Sequence, residues 1–538
     1  MAPKDYLSGL PEELLLQICQ YLDCLALAHL VRVSKHFHRI AFPELYHHLR
    51  LVRREGGEIM GFMYLLPVLW KMIQQPELAS LVQSLTVVGR NVDDVLYKPK
   101  GQADEIMFGP LPLPRGFQND PAYLAAIDHG KIFYCGQSHE FWTMMESESS
   151  ETSAIALLLT RLPNLRRLEL WLPPNIWLLN GAIFDPLNRQ DPNSSVFACL
   201  EEITLTGAEV SGIDWPVFLR LPALRRIYAL YIGSGAFKAE GREKIYSSVT
   251  DIHIRECCLS SNELALILGA CRQLETFVYE LVRREVEDMM GNVFERPEWI
   301  NCILQALLTY SKGTLQNLCL TNRSMGPVFL CYNQFPHLSF LKLSAVLVFG
   351  ERSTMFRDED DPDRPWNAEE AKRIYVGMIG AFPLSLKRLH ITECVEIIKR
   401  ERPTSVFTDF ILGVPLEGFL ELNLIDAAPG DSNGDVPIPS VVMKRAARIA
   451  DACVRRDFEF ELTMHRYDYY DYRKASGRGW GMQDEVRWNC EGEDLSEPTA
   501  YYTWNSERGE VEQLTNKFQA ERCRGLRNKR RRIEEVEL

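Results

Sequence analysis

Residues 10–49 read LPEELLLQICQYLDCLALAHLVRVSKHFHRIAFPELYHHL, and this stretch orients the reading of everything after it. Pro11 suits a first helical turn, where its missing N–H costs nothing, and Glu12 and Glu13 suit the positive end of the helix dipole. Leu14, Ile18 and Leu22 recur every four residues, with Leu15 and Cys19 beside them. Such a stripe is wide enough to serve both its own bundle and a partner. Asp23 is placed to cap a second short helix through Leu27, Leu30 and Val31. Ser34 is placed to cap a third, carrying Phe37 and Ile40, and Pro43 is expected to end it. The stretch holds apolar anchors and no catalytic set. About forty residues bury too little surface to be comfortable alone, so the unit needs a partner or an adjoining domain.

These residues resemble the F-box family. Its pattern is met by Leu10, Pro11, Glu13, Leu14, Leu15, Ile18, Tyr21, Leu22, Leu27, Leu30, Val33, Ser34 and Phe37. Two positions depart from it. Ala26 stands where a polar residue is usual before Leu27, and Phe37 where a Trp is frequent. The resemblance implies binding to the Skp adaptor of a cullin–RING ubiquitin ligase. It also implies an adaptor-binding set of Leu10, Pro11, Leu14, Leu15, Ile18, Leu30 and Val33, some of which must instead pack the bundle.

The whole chain is long enough, at 538 residues, for a large core and more than one folding unit. Apolar content of 46% and charged content of 25% place it among globular proteins. No run approaches the roughly 18 to 20 apolar residues of a membrane helix, and MAPKDYLSGL at the start lacks the apolar core of a signal peptide. The 14 cysteines form neither a CxxC nor a regular frame, which fits reduced thiols in cytoplasm or nucleus. A net charge of −13 argues against a general nucleic-acid binder, whose affinity rests on basic contacts with phosphate.

A second pattern runs through the middle of the chain. An apolar-x-x-apolar-x-apolar motif recurs at Val82-Leu85-Val87, Leu165-Leu168-Leu170, Leu200-Ile203-Leu205, Leu224-Ile227-Ala229 and Val249-Ile252-Ile254. It continues at Leu274-Phe277-Tyr279, Leu315-Leu318-Leu320, Leu338-Leu341-Leu343, Leu386-Leu389-Ile391 and Phe419-Leu422-Leu424. The last x-apolar step is a strand signature, because alternate side chains share one face. Helical patterns lie between the copies. Ser260 with Glu263 makes a capping-box signal ahead of Leu264, Ile267, Leu268 and Cys271. Turns such as Leu162-Pro163-Asn164-Leu165 stop the helix and start the extended segment.

Repeated strand–turn–helix units of about 25 residues resemble the leucine-rich repeat family, in a degenerate form spanning residues 81–425. The fold implied is α/β. A three-helix F-box, residues 1–50, and a connector, 51–80, precede an irregular solenoid with parallel strands on its concave side and helices outside. Loop insertions are expected at about 91–150 and 351–370, a linker at 426–440, an α/β extension at 441–520 and a basic and acidic tail at 521–538. The acidic 351–370 stretch reads as a solvated loop, with contact to a basic target as the alternative, and the Tyr-rich 467–472 stretch reads as a half-buried strand or a surface loop, with a recognition surface as the alternative.

Little in the sequence points to bond-making chemistry. The glycines around Trp480 fit neither a phosphate loop nor a dinucleotide fingerprint, and His36, His38, His47 and His48 lack companion ligands at metal spacing. Lys529, Arg530, Arg531 and Arg532 form a candidate nuclear import signal. The expectation is a substrate-receptor subunit that is not itself an enzyme and needs no cofactor or metal. It would bind the Skp adaptor, through it cullin, and an unknown protein target, with no membrane, in cytoplasm or nucleus. The alternatives are a leucine-rich-repeat scaffold that degrades nothing, and a hydrolase or transferase within residues 430–520.

Overall fold

The computed structural model describes residues 7, 9–52, 65–88, 120–133, 151–172, 197–210, 215–232, 246–255, 257, 259–281, 297–322, 332–344, 347–348, 380–392, 401–413, 421–429, 440–456, 458–467, 500–505 and 510–514. The chain divides into two compact units at Val249 and Thr250. The acidic 351–370 stretch, residues 468–472, the glycines around Trp480 and the basic tail at 529–532 lie outside the described residues.

The first unit begins with three helices: α1 (Glu12–Gln20), α2 (Cys24–Val33) and α3 (Lys35–His47). Both expected caps are present. Asp23 accepts a hydrogen bond from the Ala26 amide at 2.7 Å, and the Ser34 hydroxyl accepts one from the Phe37 amide at 3.2 Å. Each satisfies one of the orphan amides of a first turn. Leu15, Cys19, Leu27, Phe37, Ile40 and Ala41 form the bundle core, and Leu10, Leu16, Leu22, Leu30, Val31 and Leu45 pack against it.

Pro43 does not end the third helix; α3 runs through it to His47. An interior proline costs about 3 kcal/mol. The residues beyond it supply the offset. Leu45 packs on the core, and the Phe42 ring lies 5.0 Å from Tyr46 and 4.8 Å from His38. Tertiary packing overrides the local breaker.

A strand, β1 (His48–Val52), follows α3 with no loop between them. The segment read as a connector therefore opens inside a strand, and it also holds α4 (Leu65–Gln74) and α5 (Pro76–Ala79). The strands β2 (Ser84–Val88), β3 (Arg167–Leu172), β4 (Glu202–Val210) and β5 (Arg226–Ile232) continue from β1, each parallel to the one before. Parallel neighbours need a long crossover. Here the crossovers carry α4, α5, α6 (Pro121–Phe133), α7 (Glu151–Leu159) and a 3-10 turn, Trp215–Arg220. The helix α6 lies within the stretch expected to be a loop insertion, where a Pro-rich flank masks its weak apolar period.

The second unit repeats the plan. Its strands are β6 (Asp251–Arg255), β7 (Thr276–Leu281), β8 (Asn317–Asn322), β9 (Phe340–Ser344), β10 (Arg388–Thr392), β11 (Glu421–Pro429) and β12 (Glu459–Tyr467), parallel and in chain order. Helices α8 (Ser261–Ala270), α9 (Pro297–Tyr310), α10 (Glu401–Gly413) and α11 (Ser440–Arg455) lie between them. The capping box forms as expected: the Glu263 amide donates to Ser260 Oγ at 3.2 Å, and the Ser260 amide donates to Glu263 Oε2 at 2.7 Å. Two antiparallel strands, β13 (Ala500–Asn505) and β14 (Glu510–Leu514), follow β12. The expected linker at 426–440 is partly strand, since β11 runs to Pro429 and pairs with β12 along its whole length.

All ten apolar motifs fall on β2–β11, and their central residues stand in register. Leu49, Leu85, Leu168, Ile203 and Ile227 form one column. Ile252, Phe277, Leu318, Leu341 and Leu389 form the corresponding column of the second unit. Every one of these side chains is buried.

A backbone device repeats with the columns. The Gln83 carbonyl accepts from the amides of both Arg166 and Arg167, the Arg166 carbonyl from Glu201 and Glu202, and the Glu201 carbonyl from Arg225 and Arg226. In the second unit the carbonyls of Thr250, Glu275, Gln316 and Ser339 each accept from the two amides that open the next strand. Each strand is thus pinned to its predecessor at its entry. The His47 carbonyl, at the end of α3, accepts from the Gln83 amide at 3.0 Å and so occupies the first place in this series. Among the described residues no helix is long and apolar enough to cross a membrane.

Candidate docking interface

The α1 sequence sets two faces at once. Leu15 and Cys19 point into the bundle, at 3% and 2% exposure. Their neighbours Leu14 and Ile18 are turned about 100° away and stand 45% and 37% exposed. Tyr21, at the end of the same helix, is 90% exposed. Pro11, Leu14, Ile18 and Tyr21 follow one another at spacings of three, four and three residues, which is one face of α1 and its caps, and Leu7 precedes the helix. All five are exposed. Val33, the last residue of α2, is 66% exposed. A folded bundle with a filled core therefore keeps a second, unfilled apolar stripe, and such stripes mark docking sites for partners.

Residues 7–52 match the protein family described as F-box-like. These residues form an F-box-like domain at the start of the first unit. The match ends at the last residue of β1, so the domain includes the first strand of the parallel series. F-box domains typically bind the Skp adaptor. No curated protein matches the chain.

The F-box-like domain sorts the residues that the resemblance grouped together. Pro11, Leu14, Ile18 and Val33 are on the surface. Leu10 and Leu30 are half-buried and pack against the core. Leu15 belongs to the core and presents nothing to a partner. Tyr21 joins the stripe, and its spacing of three and seven residues from Ile18 and Leu14 is the signal that finds it. A surface ion pair, Arg39 to Glu12 at 2.7 Å, ties α3 to α1 beside the stripe. Both partners are about half exposed or more, so the pair contributes at most about 1 kcal/mol. Of the four clustered histidines, His36 and His38 are exposed, and His47 Nδ1 lies 3.0 Å from Glu44. His48 titrates below its ordinary range because burial, then the nearby Arg167 and His47 charges, disfavour its cation. Among the described residues no three His, Cys, Asp or Glu side chains converge as a metal site.

The second unit carries a different polar cluster, on the strand face opposite its apolar columns. Glu280 of β7 forms an ion pair with Arg255 of β6 at 2.9 Å and accepts a hydrogen bond from Lys342 of β9 at 2.9 Å. Lys342 reaches across β8, where the Cys319 thiol donates to the same Glu280 oxygen at 3.3 Å. All four side chains are buried. Burial alone would push the Glu280 carboxyl up, but the Lys342 and Arg255 charges and the hydrogen bonds from Lys342 and Cys319 outweigh it and hold it at about 2. Burial opposes the Lys342 cation, and Glu280 more than restores it. The Cys319 thiol is pushed well up by burial and by Glu280, so it is an inert hydrogen-bond donor and not a nucleophile. The sequence signal for this cluster is the unbroken apolar run Phe277-Val278-Tyr279 next to Glu280, which alternation would not allow on a strand with one wet face.

Proposed function

We propose that this chain is a substrate-receptor subunit of a Skp–cullin–F-box ubiquitin ligase. Its F-box-like domain docks on the Skp adaptor through Leu14, Ile18, Tyr21 and Val33. Its two parallel strand series, read as a degenerate leucine-rich-repeat solenoid, hold a protein target. Other subunits transfer ubiquitin, and this chain supplies proximity by raising the effective concentration of target near the transfer machinery. It acts in cytoplasm or nucleus, without catalytic residues of its own.

The observation that carries the reading is the exposed α1 stripe on a bundle whose core is already complete. An apolar stripe left in water has no structural use to its own fold. The in-register columns of the strand series support the repeat reading, because each unit buries its face only by stacking on the next.

Purified Skp adaptor titrated with the full chain tests the reading. Leu14→Ala/Ile18→Ala is expected to weaken binding about 30-fold or more, the loss of roughly 2 kcal/mol at interface anchors. Circular dichroism should be unchanged, since both residues are outside the core. An intact chain that does not bind the adaptor would sink the proposal.

A further inference from the structure

The turns that lead into β7, β8, β9 and β10 enclose an open groove of about 500 Å³ in the second unit, lined by Glu275, Gly313, Gln316, His337, Ser385 and Lys387 among others. Its backbone is held by the strand-entry device, since the carbonyls of Glu275, Gln316 and Ser339 each accept two amides of the next strand. A side-chain device adds to it. The residue three places before a strand often donates to a carbonyl of the preceding turn. Asn164 donates to Ser80, Ser248 to Leu224, Thr314 to Leu274 and Ser385 to Leu338, at 2.7, 3.1, 2.7 and 2.8 Å. His337 holds that place ahead of β9 and makes no such bond. Among the described residues the exposed side chains of His337, Glu275, Gln316 and Lys387 have no hydrogen-bond or ionic partner. A repeated device abandoned at one position, beside three uncommitted polar groups, points to a binding surface.

The charges of the groove are sorted by strand. Glu275 stands at the entry of β7 and Lys387 at the entry of β10, with β8 and β9 between them. Three strand spacings separate the two, about 14 Å in all. An extended chain advances about 3.3 Å per residue and covers that distance in about four residues. Gln316 and His337, on the strands between, can both donate and accept, which suits the peptide groups of such a chain. We infer that the groove takes an extended segment of the target protein, laid across the strand entries. A Lys or Arg of the segment faces Glu275, and an Asp or Glu about four residues away faces Lys387. The inference rests on the receptor reading only in making the occupant part of a target; the groove and its charges do not depend on the adaptor. Opposite charges at the two ends also fix the direction of the segment, because the reversed direction sets like charges together. The pinned backbone and hydroxyls are already ordered, so little of the protein's own freedom is lost on binding.

The experiment selects peptides from a displayed random library on the purified full chain. The selected peptides are expected to share a basic and an acidic residue about four positions apart. Glu275→Lys should replace the selected base by an acid, and Lys387→Glu should replace the selected acid by a base. A synthetic copy of the best peptide should bind each variant about tenfold more weakly than the wild type. Gly313→Trp supplies a test by bulk. A Cβ added at Gly313 meets no atom within 4 Å, so the new side chain fills the groove without crowding the fold and should block the peptide. All three positions are exposed, and circular dichroism and adaptor binding of the variants should match the wild type. No enrichment, peptides without the charge pair, or binding indifferent to the three variants would overturn the inference and leave adaptor binding standing. An intact chain that takes the peptide and not the adaptor would overturn the receptor reading and leave the groove as a peptide site.

Discussion

Each strand series buries an apolar column of the same kind, and the two differ on the opposite face. In the first unit the central outward row is Arg50, Thr86, Glu169, Thr204 and Tyr228, all exposed or half-buried. In the second the equivalent row is His253, Val278, Cys319, Lys342 and His390, none more than 6% exposed. Water solvates the charges of the first row, so they need no particular neighbours. The charges on this buried face of the second unit are removed from water and must solvate one another, which is why Glu280 stands between Arg255 and Lys342. A repeat pattern fixes the buried columns; the environment of the other face decides whether its polar residues are interchangeable.

Removing one member of each face should make the contrast largest. Glu280→Gln leaves two buried cations without their carboxylate and should destabilise the second unit by about 3–5 kcal/mol, measured by urea unfolding. Glu169→Gln, at an exposed position where the Thr86 hydroxyl donates at 3.2 Å, should stay within about 0.5 kcal/mol. Equal costs would break the comparison. Lys342→Met added to Glu280→Gln should recover part of the loss, because the second change removes one of the stranded charges.

Core truncations should erase the contrast. Leu168→Ala and Leu318→Ala sit in the same column of the two series and should each cost about 2–5 kcal/mol. A large difference between them would mean that the columns are not equivalent after all.

Acid provides a gentler probe. The Glu280 carboxyl is held at about 2 in the folded chain, below the 4.5 of an ordinary glutamate. A depressed folded value means stability that is fully present above about 4.5 and is lost as pH falls toward 2. Glu280→Gln should flatten this part of the stability profile. Glu169→Gln should leave it unchanged.

The smallest effects belong to local devices. Ser260→Ala should cost about 1 kcal/mol through loss of the capping box. Arg226→Ala, which breaks a partly exposed pair with Glu202 at 2.7 Å, should cost about 1 kcal/mol or less.

The columns were legible in the sequence because a strand with one buried face writes its register as alternation. Phe277, Leu318 and Leu341 could be aligned by eye. The second face was not legible, since a buried Lys342 and an exposed Glu169 are both single polar residues between apolar ones. Only the company of Val278 and Phe340 hints at the difference. The strand β1 escaped notice because five residues, HLRLV, carry one alternation and no flanking turn. In the docking stripe, Leu14 and Ile18 were readable from their period of four. Separating Leu14 from Leu15 required the phase of the helix, which a run of three leucines hides. Pro43 signals a helix end because its local cost is visible in the sequence, whereas the packing of Leu45 and Tyr46 beyond it is not.

The junction of His47 and His48 has a mechanical consequence. With α3 ending where β1 begins, and the His47 carbonyl held by Gln83, the first unit has no swivel between its N-terminal helices and its strands. Torque applied to the helices is delivered to the sheet. In a receptor of the proposed kind, cargo carried by the first unit would sweep no cone; it would be offered at one bearing, and only lysines lying along that line would come within reach. Lengthening the junction by a few glycines would trade that aim for range.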